Sequence, residues 1–96
     1  MDDPGFRVEE VERPDGRSVL RFEGRLRFRT MHHVWSELRE TAGRCGQQVE
    51  IDLSDVRSLD GGAVALILEL RSELAARGAE ARIVGAQPRV QGMLDL

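Results

Sequence analysis

Apolar and polar positions alternate at the opening of the chain: Phe6 and Val8 alternate with Arg7 and Glu9, and Val19, Leu20 and Phe22 stand among Ser18, Arg21 and Glu23. A period near two is that of a strand. Between the runs lies Pro14-Asp15-Gly16, a cluster that reverses the chain, so the pattern predicts a β-hairpin. From Thr30 the period lengthens. Met31, Val34, Trp35, Leu38 and Ala42 fall on one face of a helix, with Glu37, Arg39 and Glu40 elsewhere, Thr30 placed to cap its start and Gly43 its end. Val49, Ile51 and Leu53 then alternate with Glu50, Asp52 and Ser54 as a third strand, and Asp55 to Asp60, which has no helical period, reads as a loop. Val64, Leu66, Ile67, Leu68, Leu70 and Leu74 predict a helix over 61–77 whose first half is apolar nearly all round, so that it begins buried and ends in solvent. Glu73 and Arg77 sit four apart in the favourable order, and Gly78 is a left-handed stop. Ala81 to Val84 form a fourth short strand, and Pro88 opens a last helix carrying Val90, Met93 and Leu94 on one side.

The order is β-β-α-β-α-β-α, an α/β fold with a mixed, mostly parallel sheet, to which the opening hairpin adds one antiparallel strand. A chain of 96 residues has room for one core, and 41% hydrophobic with 32% charged residues is the composition of a globular domain. The formal net charge of −3 offers no overall attraction to phosphate backbones or anionic lipid heads, so nucleic acid is not an expected partner. All 14 basic residues are Arg. Without a lysine there is no P-loop, no Schiff-base chemistry and no receiver-type phosphorylation pocket. The lone Cys45 forms no internal disulfide and no cysteine-based zinc site, which fits a cytoplasmic location. Met1-Asp2-Asp3-Pro4-Gly5 is acidic with no apolar run behind it, so no export signal is expected, and the most apolar stretch, Ala63 to Leu68, is too short to span a bilayer.

Four groups invite a chemical reading. His32-His33 are neighbours, which a helix points about 100° apart, whereas zinc motifs space histidines three or four apart; they read as helix-surface positions. Cys45 lies between Arg44 and Gly46, where the arginine is expected to lower its thiol pKa, but no base completes a nucleophile. Asp52, Asp55 and Asp60 cluster near the end of the third strand, where a magnesium site forms in open α/β sheets. Asp60, directly before a helix, is better read as its N-cap, accepting from the amide of Gly62 or Ala63. Gly61-Gly62 is the oddest choice, since glycine costs a helix interior about 1 kcal/mol against alanine. The pair reads either as a tight strand-to-helix turn under a neighbouring loop or as a bare surface for close approach of a partner; the missing lysine and the adjacent Asp60 disfavour a phosphate cradle.

The stretch Val49-Glu50-Ile51-Asp52-Leu53-Ser54-Asp55-Val56-Arg57-Ser58-Leu59-Asp60-Gly61-Gly62-Ala63 resembles the signature of STAS domains. The resemblance extends back to Leu20-Arg21-Phe22-Glu23-Gly24-Arg25-Leu26 and forward to Ala76-Arg77-Gly78 and Ile83-Val84-Gly85. It implies a non-enzymatic interaction module with no cofactor and no metal. Founding members of that family are anti-sigma factor antagonists that bind an anti-sigma kinase; others belong to sulfate transporters and lipid-asymmetry ABC transporters. The antagonist motif reads Asp-Ser-Ser-Gly, its first serine phosphorylated to switch the partner off. Here that position is Gly61, which has no hydroxyl to accept phosphate, and Ser54 and Ser58 do not match it. The resemblance with glycine at 61 implies the transporter-associated branch, where the STAS domain is either a separate small subunit or the N-terminal part of the permease. Because no polar tail and no further strand-helix unit follow Leu94-Asp95-Leu96, residues 1–96 are expected to be a domain excised from the N-terminus of a longer permease. Such a domain contacts the transporter ATPase at the cytoplasmic face of the inner membrane. The alternative is an anti-sigma antagonist that has lost its switch. Either way the partner surface is expected at Asp55, Ser58, Asp60, Gly61, Gly62 and Ala63.

Overall fold

The computed structural model describes residues 5–94. The acidic opening and the closing Asp95-Leu96, on which the readings of export and of truncation rest, lie outside the described residues. Strand β1 (Phe6–Glu12) turns antiparallel into β2 (Ser18–Leu26), as the hairpin pattern predicts. Two helices follow, α1 (Phe28–His33) and α2 (Trp35–Gly43), then β3 (Gln48–Leu59), α3 (Gly61–Ala76), β4 (Glu80–Val84) and α4 (Pro88–Leu94). The sheet runs β1-β2-β3-β4, with β2-β3 and β3-β4 parallel.

One face of the sheet buries Leu20, Phe22, Ile51 and Leu53 beneath the helices. Helix α3 is the keystone: it touches α1, α2, α4, β3 and β4, and buries Ala63, Val64, Ile67, Leu70 and Leu74. Its end is the expected left-handed glycine, Gly78 at φ +88°, whose N–H donates to the Ala75 carbonyl at 3.0 Å.

The other face is paved with charge. Residues directly opposite each other across neighbouring strands there include Arg7 and Glu23, Glu9 and Arg21, Arg21 and Asp52, and Glu50 and Arg82. Ion pairs close at 3.5 Å between Arg7 and Glu23 and at 3.6 Å between Arg21 and Asp52, while Arg13 and Arg17 reach Glu50 at 3.5 and 3.7 Å. Parallel sheets are normally covered on both faces. Alternating charge across the strands lets this one meet water on one side.

Three expectations need correction. The first helical segment is two helices starting at Phe28, because Val34 (φ −110°, ψ 19°) leaves helical geometry and its N–H bonds to Met31 in a tighter turn, at 3.2 Å. Thr30 therefore caps nothing; its hydroxyl donates to the Arg27 carbonyl from inside α1. Gly43 is the last residue of α2, which ends without a left-handed residue. The segment 55–59 is not a loop but the second half of β3. Between the Arg21–Asp52 and Leu26–Leu59 pairs, β3 carries two extra residues relative to β2, one on each side of the Glu23–Asp55 and Gly24–Val56 pairs. These bulges space the buried residues as Leu53, Val56 and Leu59, three apart, which hides the strand from a period-two search.

Candidate functional site

Parallel strands β2 and β3 end together, and α1 and α3 begin there. Asp60 joins the four. Its N–H donates to the Leu26 carbonyl at 3.1 Å, while its carboxylate accepts from the Ala63 N–H at 2.8 Å and from the Phe28 N–H at 3.0 Å to Oδ1 and 3.2 Å to Oδ2. The predicted cap of α3 is present, and it also caps α1 from 32 positions away in sequence. One negative charge thus faces the positive ends of two helix dipoles. Neither helix has an acidic residue in its first turn.

The two glycines separate. A Cβ at Gly62 would lie 2.5 Å from Phe28 Cβ and 2.8 Å from Phe28 Cγ, so glycine is what lets α1 and α3 meet. A Cβ at Gly61 would meet nothing within 4 Å, and Gly61 has no left-handed φ. Gly61 is exposed; Ala63, expected in the contact surface, is fully buried and its N–H is already held by Asp60, so it anchors the helix instead. Beside them stands Phe28, 45% exposed and the one large apolar side chain left open among the described residues. It stacks on His32 with ring centroids 5.3 Å apart. Sequence reading missed Phe28 because it lies before the predicted helix start.

The remaining candidates disperse. Asp52 and Asp55 lie along β3 and Asp60 just past its end, strung out rather than clustered: with two bulge residues between them, about six steps of about 3.3 Å put Asp52 and Asp60 roughly 20 Å apart. Asp52 accepts from the Ser54 N–H at 2.9 Å and the Ser54 hydroxyl at 2.7 Å. Burial works to raise its carboxyl, but Ser54 and the Arg21 charge outweigh it and hold the carboxyl below its ordinary value. Asp55 lines an open groove of about 710 Å³ with Arg7, Glu23, Arg25, Arg57 and Gln87. Ser58 is half-buried opposite Arg25. Among the described residues, no three His, Cys, Asp or Glu side chains gather as a metal site. The expected lowering of the Cys45 thiol is reversed: burial and the Glu10 carboxylate push it up, against the smaller pull of Ser18 and Arg44. A protonated thiol is a poor nucleophile.

The sequence model of the family described as "Mlab, STAS domain" matches residues 9–96. The chain belongs to the STAS domain family. No curated protein matches it. Among solved structures it is similar to an antisigma-factor antagonist STAS domain from Rhodobacter sphaeroides, at 25% identity and TM-score 0.67, over 83% of this chain and 86% of that one. It shares the fold of the anti-sigma factor antagonist SpoIIAA in its unphosphorylated form, at 19% identity and TM-score 0.71, over 94% of this chain and 77% of that one. The same holds for the Bacillus cell fate determinant SpoIIAA in its phosphorylated form, at 18% identity and TM-score 0.69, over 94% and 80% of the two chains. This STAS domain is a regulatory, protein-interaction fold and not an enzyme. Among its described residues no helix is long and apolar enough to cross a membrane.

Proposed function

We propose that this STAS domain binds a protein partner through the end where α1 and α3 begin, as an antagonist-type binder with no hydroxyl to phosphorylate at position 61. Gly61 carries the reading. Glycine is unfavourable in a helix, yet neither its conformation nor its surroundings require glycine, unlike Gly62. A bare, exposed backbone on a helix anchored by Ala63, Val64 and Ile67 suits close approach by another chain without costly ordering. The similarity to an antisigma-factor antagonist supports an anti-sigma kinase as partner. Asp60 and Gly61 form the contact with Phe28 beside them; Gly62 shapes it, and Ser58 and Asp55 extend it along β3.

Gly61 also favours a second reading, in which the domain belongs to an ABC-type lipid transporter and contacts its ATPase, because a glycine there removes the antagonists' switch. Either partner places the domain in the cytoplasm, the second at the inner membrane.

Gly61→Glu tests the surface. Acidic side chains are tolerated in the first helical turn, so the thermal midpoint is expected to stay within about 5 °C of the parent. Capture of an anti-sigma kinase, or ATPase activity of the assembled transporter, is expected to be lost. Gly61→Ser is the companion variant: it should bind as the parent does until a kinase phosphorylates it, and then release. Undiminished capture by Gly61→Glu would place the contact elsewhere. Which of the two partners is captured decides between the readings.

A further inference from the structure

The charges at this end of the domain are not balanced within it. Residues 24–36 hold three arginines and two histidines and no acidic residue. Arg7, which borders the groove at this end, and Arg13, Arg17, Arg21, Arg39 and Arg44 are ion-paired, while Arg71, Arg77, Arg82 and Arg89, scattered over the rest of the domain, form no ion pair among the described residues. Arg25, Arg27, Arg29 and Arg57 have no ion pair and no side-chain hydrogen bond among the described residues. Arg25 and Arg57 line the same open groove, on adjacent strands, and Arg27 and Arg29 flank the exposed Phe28. Of the acids nearby, Glu23 is held by Arg7 at 3.5 Å and the Asp60 carboxylate is occupied by two backbone amides; Asp55 alone in the groove has no partner.

We infer that Arg25, Arg27, Arg29 and Arg57, with Phe28 among them, receive an acidic segment of the protein partner, carboxylates on the guanidiniums and an apolar side chain on the phenyl ring. The inference rests on the proposed contact surface and adds the chemistry of what binds there. Arginine and aromatic side chains are the ones over-represented at protein contacts. Guanidinium forks match carboxylates in two-point geometry. A positive end on a chain of net charge −3 also orients an acidic partner during encounter. A peptide segment fits this patch better than a bilayer or a duplex, either of which extends past it onto a surface that is more negative still without these four arginines.

The probe is a short fluorescein-labelled peptide of alternating Glu and Gly around one Leu, with the matching Lys peptide as control, followed by anisotropy. The Glu peptide is expected to bind and the Lys peptide not, and binding should weaken several-fold between about 50 and 300 mM salt, as screening of exposed charges requires. Arg25→Gln with Arg57→Gln should weaken it about tenfold. Arg71→Gln with Arg77→Gln, which changes the net charge equally but lies in the far half of α3 and at its C-terminal cap, should change it less than about twofold. Equal losses in both pairs, no binding of the Glu peptide, or tighter arginine-dependent binding of phosphatidylglycerol vesicles or of an oligonucleotide would each overturn the inference. If the peptide fails while Gly61→Glu still abolishes partner capture, the surface stands and its acidic ligand falls. If the peptide responds to the arginines while Gly61→Glu captures its partner normally, it is the role of Gly61 that falls.

Discussion

Gly24→Ala is expected to cost about 3 kcal/mol of stability, the largest effect of any single methyl group in this domain. Gly24 sits in β2 at φ +97°, a backbone conformation that charges an L side chain about 1–2 kcal/mol. A Cβ there would also run into the Gly5 carbonyl oxygen and come within 3.2 Å of Phe6 Cα. Both obstacles are main chain, held by the antiparallel pairing of Phe6 with Gly24 and by the Arg25 N–H donating to Gly5 at 2.8 Å, so neither can swing aside. Overpacking of this kind costs about 1–3 kcal/mol, against which the entropy removed from the unfolded chain returns about 0.4–1. Chemical denaturation should show a lower midpoint with an unchanged slope. A loss below about 1 kcal/mol would mean that the first strand peels away from β2 without consequence for the rest.

Asp60→Ala should be next, at about 2 kcal/mol, or roughly 10 °C in thermal midpoint for a domain of this size. The variant strips acceptors from the Phe28 and Ala63 amides together, and so loosens two helix starts at once. The site is open enough for water to replace part of what is lost, which keeps the expectation below the sum of two charged hydrogen bonds. Asp60→Asn retains one oxygen acceptor and no charge, and should fall between the parent and alanine. If asparagine proves as damaging as alanine, it is the charge facing the helix dipoles that matters; if both variants unfold with the parent's midpoint, the shared cap contributes nothing to stability.

Much of this was legible in the residues because the signals were local. The apolar run from Ala63 to Leu74, the cap at Asp60 and the stop at Gly78 each act within a few positions, and α3 formed where they place it. The second half of β3 was not legible, since its buried residues three apart make sense only against the register of β2. The start of α1 was hidden for the same kind of reason: its capping carboxylate comes from a residue 32 positions later. Gly61 and Gly62 look equivalent in sequence, and only the position of Phe28 tells the required glycine from the unconstrained one. Phe28 itself gave no signal, because one exposed aromatic residue in a run of arginines fits neither a strand nor a helix pattern.

The paired irregularities in β3 behave like two frameshifts that cancel. Each bulge by itself would rotate every following side chain to the opposite side of the sheet, sending Leu59 into water and launching α3 from the charged face. Together they return Leu59 to the phase that Leu53 had, while lengthening β3 enough for Asp60 to reach across to α1. Loss of one residue between Ser54 and Ser58 should therefore harm the fold more than loss of two, an inversion of the usual ranking of deletions by size. Length changes in this strand are therefore expected to be tolerated by parity, in steps of two residues and not of one.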